Sequence, residues 1–399
     1  MIPRLKDYEN IVGDSVINEI KDSASPLSEK SVVHVNTVFF GGGVAEMLNT
    51  LVLLLSDTGM DGTWRIFKAM PNFFFVSKGF HNAMQGGDID LTDESKSVYL
   101  EYQERNALMH VVNSEDLAII HDPQPLGLIK YSVRKQPWIW RCHIDLTSPN
   151  QQLWNWLIHF INRYDGVVVS HENYKKNDIL PEQFIIHPSI DPLSSKNRDL
   201  SDSEINKLLK NANIELDKPV VTQISRFDPW KDPMSVIETF KKIKKSVDCK
   251  LLLVGGMAED DPEGPEMFHK VKDAVGNEED VQLVINASDE LVNAIQRVSS
   301  VVMQKSLREG FALTVSEALW KGTPVVATRV GGIPLQVIDK KTGFLINSTN
   351  EAADACVKLI QDEKLREEMG ANAREHVKNN FLITRSVQDH LNLYKKFLK

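Results

Sequence analysis

Cysteine is scarce in this chain: Cys142, Cys249 and Cys356 are the three in 399 residues. They lie far apart, form no CxxC and no obvious disulfide framework, and read as packing residues. No stretch approaches the roughly 18–20 consecutive apolar residues of a membrane-spanning helix. The N-terminal MIPRLKDYENIVGD lacks the basic-then-apolar order of a secretory signal. A cytoplasmic location without a membrane partner is therefore expected. Positive charge is in deficit, with 46 Lys and Arg against 55 Asp and Glu and a formal net charge of -9. That balance disfavours nonspecific binding to nucleic acid, so no nucleic-acid partner is expected. Neither HExxH nor EF-hand spacing occurs, and DDPEG (260–264) reads as a short loop; no tightly bound metal or cofactor is expected. After Gly41-Gly42-Gly43 the position that would complete a dinucleotide fingerprint is Glu46, which makes a nicotinamide dehydrogenase a weak reading.

The composition itself is that of an ordinary globular protein, 42% hydrophobic and 25% charged, in a chain long enough for two domains. The run SVVHVNTVFF (31–40) is rich in β-branched and aromatic residues, stops at the glycine triplet and gives way to VAEMLNTLVLLL with helical spacing. Further short strands are read at 117–121, 138–143 and 166–170, with helix-like stretches between several of them. A proline- and polar-rich passage between about Ile186 and Pro219 reads as a linker followed by a short helix. A second series of strands occupies 220–225, 249–256, 281–285, 300–304 and 323–328. The terminal stretch reads as two charged amphipathic helices interrupted near Asn379-Asn380. The expected fold is α/β, two doubly wound Rossmann-like domains facing an interdomain cleft at the carboxyl ends of their strands.

Candidate chemistry concentrates at those strand ends. The glycine turn at Gly42 and Gly43 suits either a tight turn or close approach of backbone amides to an anion. Arg226 and Lys231 in SRFDPWKDP set two cations after one strand, a pair that fits a diphosphate or ordinary surface salt bridges. In KSLREGFALTVSEALWKGTPVVAT, Glu309 precedes a helix expected to start near Leu313, and Glu317 lies just over two turns further on. There the helix's first amides would face an anion, and the glutamates either bind ligand or simply complement the helix dipole. Lys231 and Glu309 are expected on loops outside the core. His121, and His143 with Asp145 beyond it, come at the ends of two strands of the first half where a cleft would lie, and are further candidates.

The segment EGFALTVSEALWKGTPVVAT resembles the retaining GT-B glycosyltransferases related to glycogen and sucrose synthases, in which two glutamates are separated by seven residues. Six motifs, HVNTVFFGGGVAEML, HDPQPLGL, WRCHIDLTSPN, SRFDPWKDP, DDPEGPE and QKSLREGFALTVSEALWKGTPVVATRVGGIPLQ, are more narrowly similar to the trehalose glycosyltransferring synthases, over about residues 31–385. The resemblance implies transfer of glucose, with retention, from ADP-, UDP- or GDP-glucose to glucose or another small sugar. It implies that Glu309 and the amides of Gly310 and Phe311 hold the donor sugar, that Glu317 contacts ribose, and that the Leu313 and Thr314 amides support the diphosphate. Arg226 and Lys231 would stabilise the leaving group, Gly42 and Gly43 approach it from the opposite domain, and His143 contacts the sugar near its anomeric centre.

On this reading 1–195 is an acceptor-side domain, 196–380 a nucleotide-sugar domain, and 381–399 a helix packing back on the first. Two departures from the family pattern, Ala312 in place of a frequent glycine and Thr37-Val38-Phe39 before the glycine turn, bear on donor or acceptor preference. The rival readings are a trehalose phosphorylase, which would use phosphate in place of a nucleotide, and a catalytically silent sugar-binding protein. A homodimer through an exposed stretch at Trp154 and Trp156 is compatible with the sequence.

Overall fold

The computed structural model describes residues 2–39, 42–109, 112, 114–256 and 264–398, and the chain divides into two compact units. The first holds Met1–Ser189 with Ile383–Lys399, the second Ile190–Leu382.

The first unit is built on β1 (Ser31–Asn36), β2 (Asp61–Ile66), β3 (Leu117–His121), β4 (Trp138–Arg141), β5 (Gly166–Val169) and β6 (Glu182–Ile185). They form an all-parallel sheet in the order β2-β1-β3-β4-β5-β6. The strand runs are apolar because both faces are covered, and successive residues supply opposite cores. Val33, Val35, Ala118, Ile120 and Trp140 enter one cluster, while Val32, Leu117, Ile119 and Ile139 enter the other. The strand order reverses between β1 and β3, which sets a switch point there, at the place where open parallel sheets bind ligands.

The second unit has β7 (Val220–Ile224), β8 (Lys250–Gly255), β9 (Val281–Ile285), β10 (Val301–Gln304), β11 (Val325–Thr328) and β12 (Gly343–Ile346). Their order is β12-β11-β10-β7-β8-β9, again all parallel. Here the switch point falls between β7 and β10, so the loops after these two strands are neighbours.

Six helices carry or support the candidate residues: α1 (Gly43–Asp57), α2 (Gln151–Ile161), α3 (Pro233–Ile243), α4 (Leu313–Trp320), α5 (Glu363–Asn380) and α6 (Ile383–Phe397). The chain enters the second unit at Ile190 and leaves it at Leu382, and the two residues are bridged, with the Ile190 amide donating to Phe381 O at 2.9 Å. Beyond that point α6 belongs to the first unit, where Val387, Leu391 and Tyr394 share a core with Leu5, Tyr8, Ile17 and Ile20. The opening residues, whose sequence carries little signal, thus cover one face of the first sheet together with the last helix.

All three cysteines are free and buried. The expectation of an exposed tryptophan stretch is corrected by the structure. Trp154 is 3% exposed and donates from Nε1 to Asp178 at 2.6 Å, and Trp156 packs edge-on against Phe80, Tyr99 and Phe160. Helix α2 turns its apolar stripe inward, so Trp154 belongs to the core and Trp156 is half-buried against its aromatic neighbours. Among the described residues, no helix is long and apolar enough to cross a membrane.

Candidate functional site

In the first unit, the chain leaves β1 through Asn36, whose side chain is fixed at both ends: Nδ2 donates to Val38 O (3.0 Å) and Oδ1 accepts from Trp64 Nε1 (2.7 Å). Phe39 lies edge-on to Trp64, and of the glycine triplet Gly41 is outside the described residues. Gly42 is the N-cap of α1 at φ 99°, a backbone region that side chains rarely adopt, and it contributes no side-chain cap to the helix that Gly43 begins. The first-turn amides of α1 therefore receive no side-chain acceptor from the residue before them.

His121 closes β3 and His143 lies just past the end of the neighbouring β4, and the structure brings the two together: His121 Nδ1 lies 3.0 Å from His143 Nε2. A third imidazole, absent from the candidates drawn from sequence, continues the row. His34 in β1 places Nδ1 2.9 Å from His121 Nε2, and its own Nε2 lies 3.1 Å from the Tyr394 hydroxyl on α6. The only signal for His34 in the sequence is a histidine amid an otherwise apolar strand run. Tyr394, 360 residues away, gives none. Burial is the first cause holding His34, His121 and His143 well below the usual imidazole range. His390 also depresses all three, and the Arg141 guanidinium acts on His121 and His143. All three are neutral at neutral pH.

Asp122 ties this row to the backbone. It sits at φ 62°, accepts the His143 amide at 2.7 Å, and burial pushes its carboxyl up to about 7 despite that hydrogen bond and the nearby Arg141. Asp145 is buried and accepts the Thr147 amide at 2.8 Å, a local turn contact that shapes the segment after His143.

In the second unit, the switch point juxtaposes the loops after β7 and β10. Asp228 accepts the Trp230 amide (2.8 Å) and Asp232, at φ 46°, caps α3 by accepting the Ser235 amide (3.3 Å), which shapes the turn carrying Arg226 and Lys231. Gln223 Nε2 donates to Lys231 O at 2.9 Å, and the Leu307 amide donates to Trp230 O at 2.8 Å, which joins this turn to the next loop. Lys231 Nζ meets Glu309 Oε2 at 2.5 Å, where Ser306 Oγ (3.2 Å) and Gln304 Nε2 (3.5 Å) also donate. Glu309 is 8% exposed, so the expectation of a pair outside the core is corrected: the carboxylate is buried and the lysine lies on a short 3-10 turn against it. Arg226 remains partly exposed, 3.7 Å from the Asp228 carboxylate.

Gly310 and Phe311 come next, buried, and are held from behind. Gln336 Nε2 donates to Phe311 O while its Oε1 accepts Ser316 Oγ. A Cβ on Gly332 would stand 2.7 Å from Gly310 O, so only glycine lets the backbone approach this loop so closely. Ala312, the N-cap of α4, is left-handed at φ 72° and has no side-chain cap to offer, so the amides of Leu313 and Thr314 open the helix uncapped. Glu317, 2% exposed, leaves Oε2 buried and without a hydrogen-bond partner. One turn on, burial brings the Lys321 ammonium down to about 7, while the Glu317 charge acts to raise it. The DDPEG segment falls outside the described residues up to Gly264, where a helix begins.

Chemically, the second unit offers cations beside an uncapped helix start, a buried carboxylate already hydrogen-bonded, and a second carboxylate oxygen awaiting a donor. That set suits a diphosphate flanked by hydroxyl-bearing groups.

Comparison with known proteins bears on the same regions. Residues 34–176 match the trehalose synthase N-terminal domain family and residues 204–376 match glycosyl transferases group 1. Trehalose synthase of Thermococcus litoralis is 45% identical over 99% of this chain and 97% of its own length. Trehalose phosphorylase of Pleurotus pulmonarius is 31% identical over 94% of this chain but only 59% of its own. Among solved structures, a UDP-forming α,α-trehalose-phosphate synthase from Burkholderia xenovorans, in complex with glucose-6-phosphate, gives a TM-score of 0.75 at 12% identity over 93% of this chain and 100% of the other. At that identity the likeness is one of fold, and the fold is GT-B.

Proposed function

The chain belongs to the trehalose synthase family of GT-B glycosyltransferases, and from that premise we propose that it transfers glucose from a nucleoside-diphosphate glucose to glucose, forming trehalose with retention of configuration. The observation that carries this reading is the meeting of Lys231 with Glu309 at the second sheet's switch point, beside the uncapped start of α4.

Cleavage of the glycosyl–phosphate bond builds negative charge on the departing diphosphate, and fixed positive charge there lowers the barrier. An ammonium has three donors. Lys231 spends one on Glu309 and keeps two for phosphate oxygens, with Arg226 and the amides of Leu313 and Thr314 completing the cradle. Glu309 and the Gly310 and Phe311 amides take the donor glucose hydroxyls. The partnerless Oε2 of Glu317 accepts a ribose hydroxyl, which would relieve a buried carboxylate oxygen otherwise costly to leave unpaired. Within the first unit, Gly42 and Gly43 are assigned to phosphate and His143 to sugar, with His121 against the His143 ring and Asp145 shaping the loop beyond it. The acceptor hydroxyl attacks from the face the nucleotide leaves and its proton passes to the leaving phosphate oxygen, so one nucleoside diphosphate is released per trehalose.

The test is incubation with glucose and ADP-, UDP- or GDP-glucose in turn, with glucose 1-phosphate in parallel, quantifying trehalose by chromatography and its anomeric configuration by proton NMR. Trehalose with a nucleotide sugar supports the proposal and names the donor. Trehalose with glucose 1-phosphate alone assigns a phosphorylase instead, and product with neither rejects both.

A further inference from the structure

The row of groups in the first unit has a directional property beyond the roles assigned above. Tyr394, His34, His121 and His143 are joined by three contacts of 3.1, 2.9 and 3.0 Å. Ring centroids are 5.2 and 5.3 Å apart at interplanar angles of 30° and 12°. Given N···N contacts of 2.9 and 3.0 Å, those separations mean imidazoles lying end to end rather than face to face. Each bridging ring uses both of its nitrogens inside the row. A neutral imidazole has one N–H and one bare nitrogen, so every contact must point the same way, and one choice at the end of the row sets all the others.

Tyr394 makes that choice. Its hydroxyl is fully buried, and His34 Nε2 is its one hydrogen-bond partner among the described residues. If His34 donated to the tyrosine oxygen, the hydroxyl proton would be buried with no acceptor. If the tyrosine donates, only a lone pair is left unused. A buried donor without a partner is the costlier and rarer of the two. We propose that Tyr394 fixes His143 as the Nδ1–H tautomer through His34 and His121, so that the outer nitrogen of His143 is a hydrogen-bond donor to a sugar oxygen and not a base. The direction runs from Tyr394 O–H to His34 Nε2, from His34 Nδ1–H to His121 Nε2, and from His121 Nδ1–H to His143 Nε2. His143 Nδ1–H is left pointing out of the row, on a residue that is partly exposed. Tyr394, His34 and His121 are then positioning residues, and the last helix of the chain has a task in the first unit's site beyond packing. Burial and His390 keep all three rings neutral, with Arg141 acting also on His121 and His143, and that neutrality is what allows the row to transmit a direction.

The sugar-contacting half of this inference rests on the proposed function, whereas the tautomer half does not. The experiment is long-range proton–nitrogen NMR of the full chain labelled with nitrogen-15 histidine at neutral pH, in wild type and Tyr394→Phe, with His143 assigned by the signal lost in His143→Asn. The expected spectrum shows protonated Nδ1 and bare Nε2 for the three ring-row histidines. In Tyr394→Phe, which removes one oxygen and keeps the ring, His34 Nε2 loses its donor and the row loses the bias that Tyr394 supplies, so His143 becomes a mixture of Nδ1–H and Nε2–H. There kcat/KM for trehalose formation falls by the factor by which the Nδ1–H share falls, and the buried His34 nitrogen left without a partner lowers the melting temperature by a few degrees. Nε2–H on His143 in the wild type overturns the proposal, as does a Tyr394→Phe chain whose tautomers and kcat/KM both match wild type. The predicted tautomers without any trehalose formation leave the row's direction standing and remove the glycosyltransfer reading instead.

Discussion

Replacing Lys231 by methionine keeps the length of the side chain and removes its charge, which leaves the Glu309 carboxylate facing a nearly dry pocket. The two side chains are 18% and 10% exposed, and Glu309 Oε2 would retain Ser306 at 3.2 Å and Gln304 at 3.5 Å. Removing one partner of a buried pair costs about 3–5 kcal/mol. The residual exposure and the two remaining donors bring this to about 2–3 kcal/mol. In a unit of this size, 1 kcal/mol moves the melting temperature by about 2–4 °C, so Lys231→Met should lower the second unit's calorimetric transition by roughly 5–10 °C. Glu309→Gln keeps the shape and removes the opposite charge, and the double variant should recover about 1–2 kcal/mol relative to the sum of the singles, since no charge is then left unpaired. Both singles should lose about 10²–10³-fold in kcat, the range for removing a preorganised group at developing charge. Singles melting within 1 °C of wild type, or a double variant that is simply additive, would refute the reasoning, because the pair would then be a solvated surface contact.

Asp122 predicts a pH dependence. Its folded carboxyl, held up to about 7, keeps a proton that the unfolded chain releases near the ordinary aspartate value, so stability contributed here falls as pH rises between those two values and is flat above. Asp122→Asn keeps the acceptor for the His143 amide and tolerates φ 62°, and should be more stable to unfolding than wild type at pH 8 by about 1–2 kcal/mol but not at pH 4; parallel profiles would contradict this. Ala312→Gly relieves a left-handed alanine at φ 72° while adding freedom to the unfolded chain, for a net gain of about 0.5 kcal/mol in urea unfolding. Glu317→Gln should raise KM for the nucleotide sugar about tenfold with kcat nearly unchanged, and the difference should vanish with a deoxyribose donor that lacks the hydroxyl; an unchanged KM would remove Glu317 from the ribose site.

The sequence exposed what burial makes periodic. The interior strands β1, β3, β4, β5, β7, β8, β10 and β11 lie between covered faces and read as apolar runs, as did edge strand β9. The edge strands β2 (DGTWRI) and β6 (EQFI) are half exposed, and their mixed composition hid them, whereas β12 (GFLI) is apolar and mostly buried but only four residues long. Trp154 and Trp156 misled because one aromatic pair cannot reveal which side of a helix faces a core; the apolar stripe of α2 as a whole settles it. In the second unit the loop from Gln304 to Glu317 was legible because its residues are contiguous and resemble a known pattern. Its support by Gln336 and Gly332 was not, since that depends on a close approach visible only in three dimensions. The same reason concealed the histidine row, whose members come from three strands' worth of sequence and a helix at the far end of the chain.

The central claim is that the second unit's cations break a sugar–diphosphate bond to make trehalose. It is tested most directly by measuring nucleoside diphosphate and trehalose together in one reaction of glucose with the preferred nucleotide sugar, for wild type and Lys231→Met. Both products should appear in equimolar amounts in wild type and at least about a hundredfold more slowly in the variant, on the scale expected for lost stabilisation of the leaving group. Trehalose forming without nucleoside diphosphate, or at the wild-type rate in Lys231→Met, would contradict it.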